Sequence, residues 1–67
     1  MYIVIELQTT NGVTGNIVTQ YDNLPSADSA YHSVLSSAAI SKVNTHACVM
    51  LTESGEYIKS ECYTHNS

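Results

Sequence analysis

Basic residues are scarce in this chain. Its 67 residues include no arginine and two lysines against six acidic residues, which gives a formal net charge of −4. Proteins that bind DNA or RNA neutralise many phosphates, and two lysines cannot form the basic patch that this requires. The same scarcity of basic residues argues against binding to an anionic membrane surface. The apolar runs are also too short to span a bilayer. We therefore expect neither nucleic acid nor a membrane among the partners.

Charged residues of either sign are also few. They make up 12% of the chain, against about 25% in an average domain. Sixteen serines and threonines take their place, which predicts a neutral surface rich in hydrogen-bonding groups. A basic leading segment is missing as well, because the run that starts at Met1 reaches an acid, Glu6, too early for a signal peptide. These features predict a cytoplasmic protein.

Cysteine and histidine are too few to build an obvious covalent or metal cross-link. Strand alternation places Cys48 and Cys62 on opposite faces, so we expect no disulfide. His46 with Cys48, and Cys62 with His65, are of zinc-binding type, but their spacing does not bring four ligands to one point. We expect no metal and no cofactor. Since a chain this short has a limited core, partner subunits are the expected source of added stability.

Hydrophobic periodicity predicts two β-hairpins, over residues 2–21 and 45–64, joined by a helix over residues 24–41 in a single domain. This is a ββαββ order, an α+β fold in which one helix packs on one face of a four-stranded antiparallel sheet. Asn11-Gly12 marks the first turn. A two-residue loop there sets Ile5 opposite Val18, and a three-residue loop sets Ile5 opposite Ile17. We favour the second, since it pairs apolar residues on both faces.

The predicted helix has one apolar and one small polar face. The apolar stripe comprises Ala27, Ala30, Tyr31, Val34, Leu35 and Ala38. The opposite face comprises Ser29, His32, Ser33, Ser36 and Ser37. This serine-rich face suits either a close partner contact or an ordinary exposed surface.

The third strand is apolar on both faces, with Val49 on one side and Cys48 and Met50 on the other. We assign Val49 to the core beneath the helix, so Val49→Asp is expected to unfold the chain. The Cys48 and Met50 face then needs a covering that a single helix cannot supply. This pattern predicts a homo-oligomer.

A row of aromatic and charged residues on the fourth strand is the most suggestive binding feature. Two-residue spacing aligns them on one face, where rings could stack on a flat group and a cation could hold an anion. The candidate ligand-binding residues on this strand are Tyr57, Lys59, Glu61, Tyr63 and His65, with Tyr31 and His32 added from the helix. A mixed subunit interface is the alternative interpretation of the same face.

Catalysis is not expected. Asp28 and His32 are four residues apart on the helix, and serines flank His32, but no turn presents a nucleophile in a pocket with oxyanion donors. The chain is therefore interpreted as a non-enzyme.

Several segments, in this order and spacing, resemble a family of very short proteins encoded by phages and prophages of Firmicutes, especially of gut bacteria. The segments cover nearly the whole chain: Tyr2-Ile3-Val4-Ile5-Glu6-Leu7-Gln8-Thr9, Gly15-Asn16-Ile17-Val18, Tyr21-Asp22, Tyr31-His32, Ala38-Ala39-Ile40-Ser41 and Lys59-Ser60-Glu61-Cys62-Tyr63-Thr64-His65. The resemblance transfers no catalytic residue. It implies a viral accessory protein acting in the host bacterial cytoplasm, or a small part of the particle.

Together these features favour a phage-encoded, non-enzymatic protein that sequesters a nucleotide-derived host immune signal, an anti-defence sponge. One subunit is too small to enclose a nucleotide, so the pockets are expected between subunits. The alternative is a virion-associated or host-protein-binding module that acts through protein contacts alone.

Overall fold

The fold is an antiparallel sheet covered on one face by a helix, as seen in a computed structural model that describes residues 1–65. The elements are β1 (Tyr2–Thr10), β2 (Val13–Tyr21), α1 (Leu24–Ala39), β3 (Thr45–Thr52) and β4 (Tyr57–Thr64). The strand order is β2-β1-β3-β4. This arrangement confirms the predicted α+β class and the ββαββ order.

The first hairpin has the two-residue loop. Ile5 lies opposite Val18, and the preferred register with Ile5 opposite Ile17 is wrong. Asn11 and Gly12 both have positive φ, 52° and 80°, as a type I′ turn requires. The twist of a type I′ turn matches the twist of the two strands. This match favours the two-residue loop more than the better apolar pairing favours the three-residue loop.

Helix α1 is capped at its N-terminus. The Asn23 side chain accepts a hydrogen bond from the Ser26 N–H at 2.9 Å, and Pro25 occupies the first turn, where its missing N–H costs nothing. The helix ends at Ala39, slightly before the predicted residue 41. Its buried residues all belong to the predicted apolar stripe, and they are Ala27, Tyr31, Leu35 and Ala38.

The core lies between α1 and the two central strands. Val4 of β1 and Cys48 and Met50 of β3 are buried against Tyr31 and Leu35 of α1. The expectation that the helix covers the Val49 face is therefore wrong, and the Cys48 and Met50 face is the one it covers. Period-two alternation places Val49 on the other side of the sheet, which we call the open face because α1 does not contact it.

The second hairpin contains an irregularity that reorients one aromatic residue. Val49 lies opposite Ser60, and the pairing shifts between Met50 and Leu51. A bulge breaks the alternation of side chains along a strand. As a result Tyr57 lies opposite Leu51, and its hydroxyl is hydrogen-bonded to the Ser60 hydroxyl on the open face at 3.0 Å.

The helix crosses the sheet diagonally. It begins directly after β2, at one edge, and its last turn meets His65, which follows β4 at the other edge. One corner of the helix-side face, where β1 ends and β2 begins, is left uncovered as a result. Within residues 1–65, no helix has the length and hydropathy needed to cross a membrane.

Candidate functional site

The predicted ligand-binding lysine is already engaged with the helix. Lys59 Nζ forms an ion pair and hydrogen bond with Asp28 Oδ1 and lies 4.5 Å from the centroid of the Tyr31 ring. The hydrogen bond from Lys59 holds the pKa of Asp28 below its ordinary value of 3.8. This contact leaves Lys59 half-buried, with its charge matched by a carboxylate.

Tyr31 is part of the core and not of an accessible surface. It is 1% exposed, and its hydroxyl oxygen has no hydrogen-bond partner within the described residues. Burial raises the pKa of this phenol. A ligand cannot stack on this ring without opening the fold, so its position stabilises the packing of α1.

His32 lies beside the Lys59 and Asp28 pair on the outer surface of α1. Its Nε2 is 3.4 Å from the second oxygen of Asp28, and both side chains are solvent-accessible. The ring meets Tyr31 edge-on, with the centroids 5.7 Å apart. Because both side chains are exposed, the pair does not lie in the water-excluded surroundings in which a histidine base acts.

The remaining predicted residues do not form one continuous face. Glu61 and Tyr63 lie opposite Cys48 and His46, on the helix side of the sheet with Lys59, whereas the bulge sends Tyr57 to the open face. At the far end of β4, His65 Nε2 donates a hydrogen bond to the Ala38 carbonyl at 2.8 Å. His65 is six positions beyond Lys59 in the sequence, which is roughly 20 Å along an extended chain. The structure therefore brings Tyr31, His32 and Lys59 together and leaves Tyr57 and His65 apart from them.

A buried acid and imidazole pair was not among the predicted sites. His46 Nε2 lies 2.6 Å from Glu6 Oε2, and the same oxygen accepts a hydrogen bond from Gln8 Nε2 at 2.8 Å. The His46 side chain is 5% exposed. A sequence signal existed, because Glu6 is an acid within an apolar strand. Its partner, however, is 40 positions away and becomes apparent only when the pairing of β1 with β3 is known.

The two cysteines are free and lie on opposite faces, as predicted. Cys48 is buried, and burial raises the pKa of its thiol to about 11. Cys62 is exposed on the open face. Across residues 1–65, no three histidine, cysteine or acidic side chains cluster in a way that could hold a metal ion.

The open face is apolar at its centre and uncharged at its edges. Its two central strands contribute the aliphatic side chains Ile3, Ile5 and Leu7 from β1, and Ala47, Val49 and Leu51 from β3. Its edge strands add uncharged polar residues, among them Asn16, Gln20 and Ser60. Val18 of β2, paired with Ile5, is 56% exposed. From Tyr2 to Thr64, no strand residue on this face is charged. The open face is thus an uncharged surface with an apolar centre.

Comparison of the chain with protein-family models, with curated proteins and with solved structures finds no match.

Proposed function

We propose that this chain is a non-enzymatic binding protein that works as a homodimer, with two copies joined through the open face. The observation that carries the proposal is the absence of charged side chains among the described strand residues of that face. A sheet with one face packed on a helix and a second face that is apolar at its centre has a surface that water solvates poorly, and exposed apolar patches of this kind are where proteins make contacts.

The size of the open face suits a second copy. Four strands spaced about 4.8 Å apart, each with eight residues rising about 3.3 Å, cover about 500 Å². Two copies together bury about 1,000 Å², which is the size at which specific interfaces begin. Two sheets can pack face to face at a small angle with interleaved side chains.

Charge also favours self-association. Each copy has a net charge of −4, so two copies repel one another unless the acids point away from the contact. Glu6, Lys59 and Glu61 all lie on the helix side. The open face is thus the surface through which two identical acidic chains meet with the least repulsion.

Sedimentation equilibrium of three chains tests this proposal. Wild type is expected to be a dimer, and Val49→Asp, with a charge at the centre of the open face, is expected to be a folded monomer by circular dichroism. The matched control Ser33→Asp adds the same charge to the serine-rich face of α1 and should remain a dimer. A monomeric wild type, or a dimer lost in Ser33→Asp and kept in Val49→Asp, overturns the proposal.

A neighbouring substitution separates the open face from the core. Met50→Asp buries a charge against α1 and should unfold the chain, because an unpaired buried charge costs more than a small domain can supply. If Met50→Asp stays folded while Val49→Asp unfolds, the assignment of the two faces is wrong.

Sequestration of a nucleotide-derived signal is the narrower hypothesis, and it depends on Lys59. Because Asp28 neutralises Lys59, a phosphate must displace that carboxylate to bind there. Asp28→Asn should therefore strengthen any such binding. Thermal shifts of wild type and Asp28→Asn with cyclic dinucleotides and ADP-ribose test this, and no shift in either protein removes the nucleotide from the proposal. The resemblance to phage-encoded proteins and the host cytoplasmic location stay predictions.

The protein-contact module is the second candidate. A different protein could occupy the same neutral face, and in that case the wild type is monomeric until its partner is added. Monomeric wild type in the sedimentation experiment is the result that favours this candidate over the homodimer.

A further inference from the structure

A cavity of about 220 Å³ opens at the corner of the sheet that α1 leaves uncovered. It is lined by Glu6, Gln8, Gly15, Asn16 and Ile17. Gly15 lies opposite Gln8, and Ile17 lies opposite Glu6, so these four residues belong to the helix side of the sheet, whereas the side chain of Asn16, opposite Leu7, lies on the open face. The cavity is therefore on the opposite side from the proposed dimer contact, and its occupancy does not depend on that contact.

Glu6 gives the cavity a fixed negative group. Its Oε2 accepts hydrogen bonds from the side chains of His46 and Gln8, which hold the carboxylate in one orientation. Its Oε1 takes no hydrogen bond from any residue between 1 and 65, although only 19% of the side chain is exposed. A half-buried carboxylate with one free oxygen and no lysine on its own or the neighbouring strand attracts a cation that carries N–H donors.

The neighbouring residue His46 helps to hold the Glu6 carboxylate in place. His46 is hydrogen-bonded through Nε2, and its Nδ1 is buried with no partner within the described chain. A neutral imidazole that donates from Nε2 has a lone pair on Nδ1 and satisfies the arrangement without an unmatched N–H. In that tautomer the imidazole adds no positive charge beside Glu6.

The rest of the lining is suited to an alkyl chain. Ile17 is 57% exposed beside the carboxylate, and Gly15 has no side chain to fill the space above β2. A volume of 220 Å³ equals roughly seven waters and falls below the range of about 300 to 1,000 Å³ typical of sites for drug-sized ligands.

We propose that this cavity binds a small primary alkylamine, with the ammonium group hydrogen-bonded to Glu6 Oε1 and the alkyl chain packed on Ile17. The same chemistry is offered by a free amine and by the lysine side chain of another protein. Both present an alkylammonium group of similar length.

Amide chemical shifts in a ¹⁵N-labelled sample at pH 7 test the proposal with n-butylamine as the probe. Saturable shifts are expected at Gln8, Gly15 and Ile17. Neither n-butanol, which lacks the charge, nor butyrate, which reverses it, should produce them at equal concentration. No saturable shift with n-butylamine, or equal binding of n-butanol, overturns the proposal. Nα-acetyl-lysinamide, a blocked lysine, distinguishes a free amine from the lysine side chain of another protein. Only a cavity open enough for a protein side chain should bind it with the same affinity as n-butylamine.

Two substitutions locate the site. Glu6→Gln keeps the hydrogen bonds from His46 and Gln8 and removes the charge, so affinity for n-butylamine should fall at least about tenfold. The matched control Glu56→Gln removes an exposed acid elsewhere and should bind as wild type does. Equal weakening by both variants would indicate general attraction to an acidic protein and would refute the site.

Gly15→Val blocks the cavity without disturbing the strand. A Cβ at Gly15 meets no heavy atom within 4 Å, and valine is favoured in strands. The variant should melt at or above the wild-type temperature and show no butylamine shifts. Retained binding in a folded Gly15→Val protein places the amine elsewhere and overturns the proposal.

Discussion

Asp28 of α1 and Lys59 of β4 form the one direct ion pair between the helix and an edge strand among residues 1–65. The hydrogen bond from Lys59 lowers the pKa of Asp28 below 3.8. A carboxyl with a depressed folded-state pKa adds stability above its unfolded pKa and loses that contribution as pH falls through the folded value. Asp28→Asn should therefore melt below wild type at neutral pH, and the difference should shrink below pH 3.8. The effect is small because the pair is solvent-accessible.

Thermal melting at a series of pH values measures this contribution. Asp22→Asn, at an exposed aspartate just before α1, is the control, and it should follow the wild-type curve. A gap between wild type and Asp28→Asn that stays constant as acid is added would contradict the role assigned to Lys59.

Tyr31 should tolerate loss of its hydroxyl but not loss of its ring. The hydroxyl is buried without a hydrogen-bond partner inside the described region, so Tyr31→Phe should leave the free energy of unfolding unchanged or raise it by up to about 1 kcal/mol. Tyr31→Ala leaves a cavity under α1 and should lower it by about 3–5 kcal/mol. Urea denaturation of both variants measures the two values, and a Tyr31→Phe variant less stable than wild type by more than about 1 kcal/mol would reveal an unseen partner for the hydroxyl.

The two thiols should react at very different rates. Cys48 is buried, and its pKa of about 11 keeps it protonated at neutral pH, whereas Cys62 is exposed on the open face. In folded Val49→Asp, which frees that face, Ellman's reagent should modify one thiol quickly, and the second only after denaturant is added. In wild type, the fast reaction should slow as protein concentration rises and the dimer covers Cys62. Two equally fast thiols in the native monomer would contradict the burial of Cys48.

Glycine substitution should distinguish a turn position from a strand position. Gly12 has φ of 80°, so Gly12→Ala should lower stability by about 1 kcal/mol or more. Gly15 lies in β2 with free space at its Cβ position, so Gly15→Ala should be neutral or stabilising by about 0.5–1 kcal/mol. Comparison of the two melting temperatures is the measurement, and equal losses would argue against the left-handed turn.

The sequence predicted the elements well because their signals are local. The Asn11-Gly12 turn and the apolar spacing around Tyr31 each depend on a few neighbouring residues. Which face of β3 meets the helix could not be predicted, because both Val49 and Met50 suit a buried position and period-two alternation does not rank them.

The candidate site was predicted less well because it depends on long-range register. Strict alternation along β4 places Tyr57 on the same face as Lys59. The bulge opposite Met50 and Leu51 puts them on different faces, and the residue types at these positions do not predict a bulge. The sequence pattern suggested His65 as a ligand-binding residue, but its side chain donates a hydrogen bond to the Ala38 carbonyl in the last turn of α1. The pair of Glu6 and His46 emerges only when the pairing of distant strands is known.

The pairing of β1 with β3 has a consequence for how the chain folds. Both hairpins close locally, but the central pair joins opposite parts of the sequence, and the amine of Met1 meets Glu53 across 52 positions. The entropy of closing that long loop must be overcome before the core exists, which slows folding relative to helical proteins of similar size. A growing chain that has completed its first hairpin and helix still lacks Cys48 and Met50 of β3, which complete the core around Val4 and Tyr31.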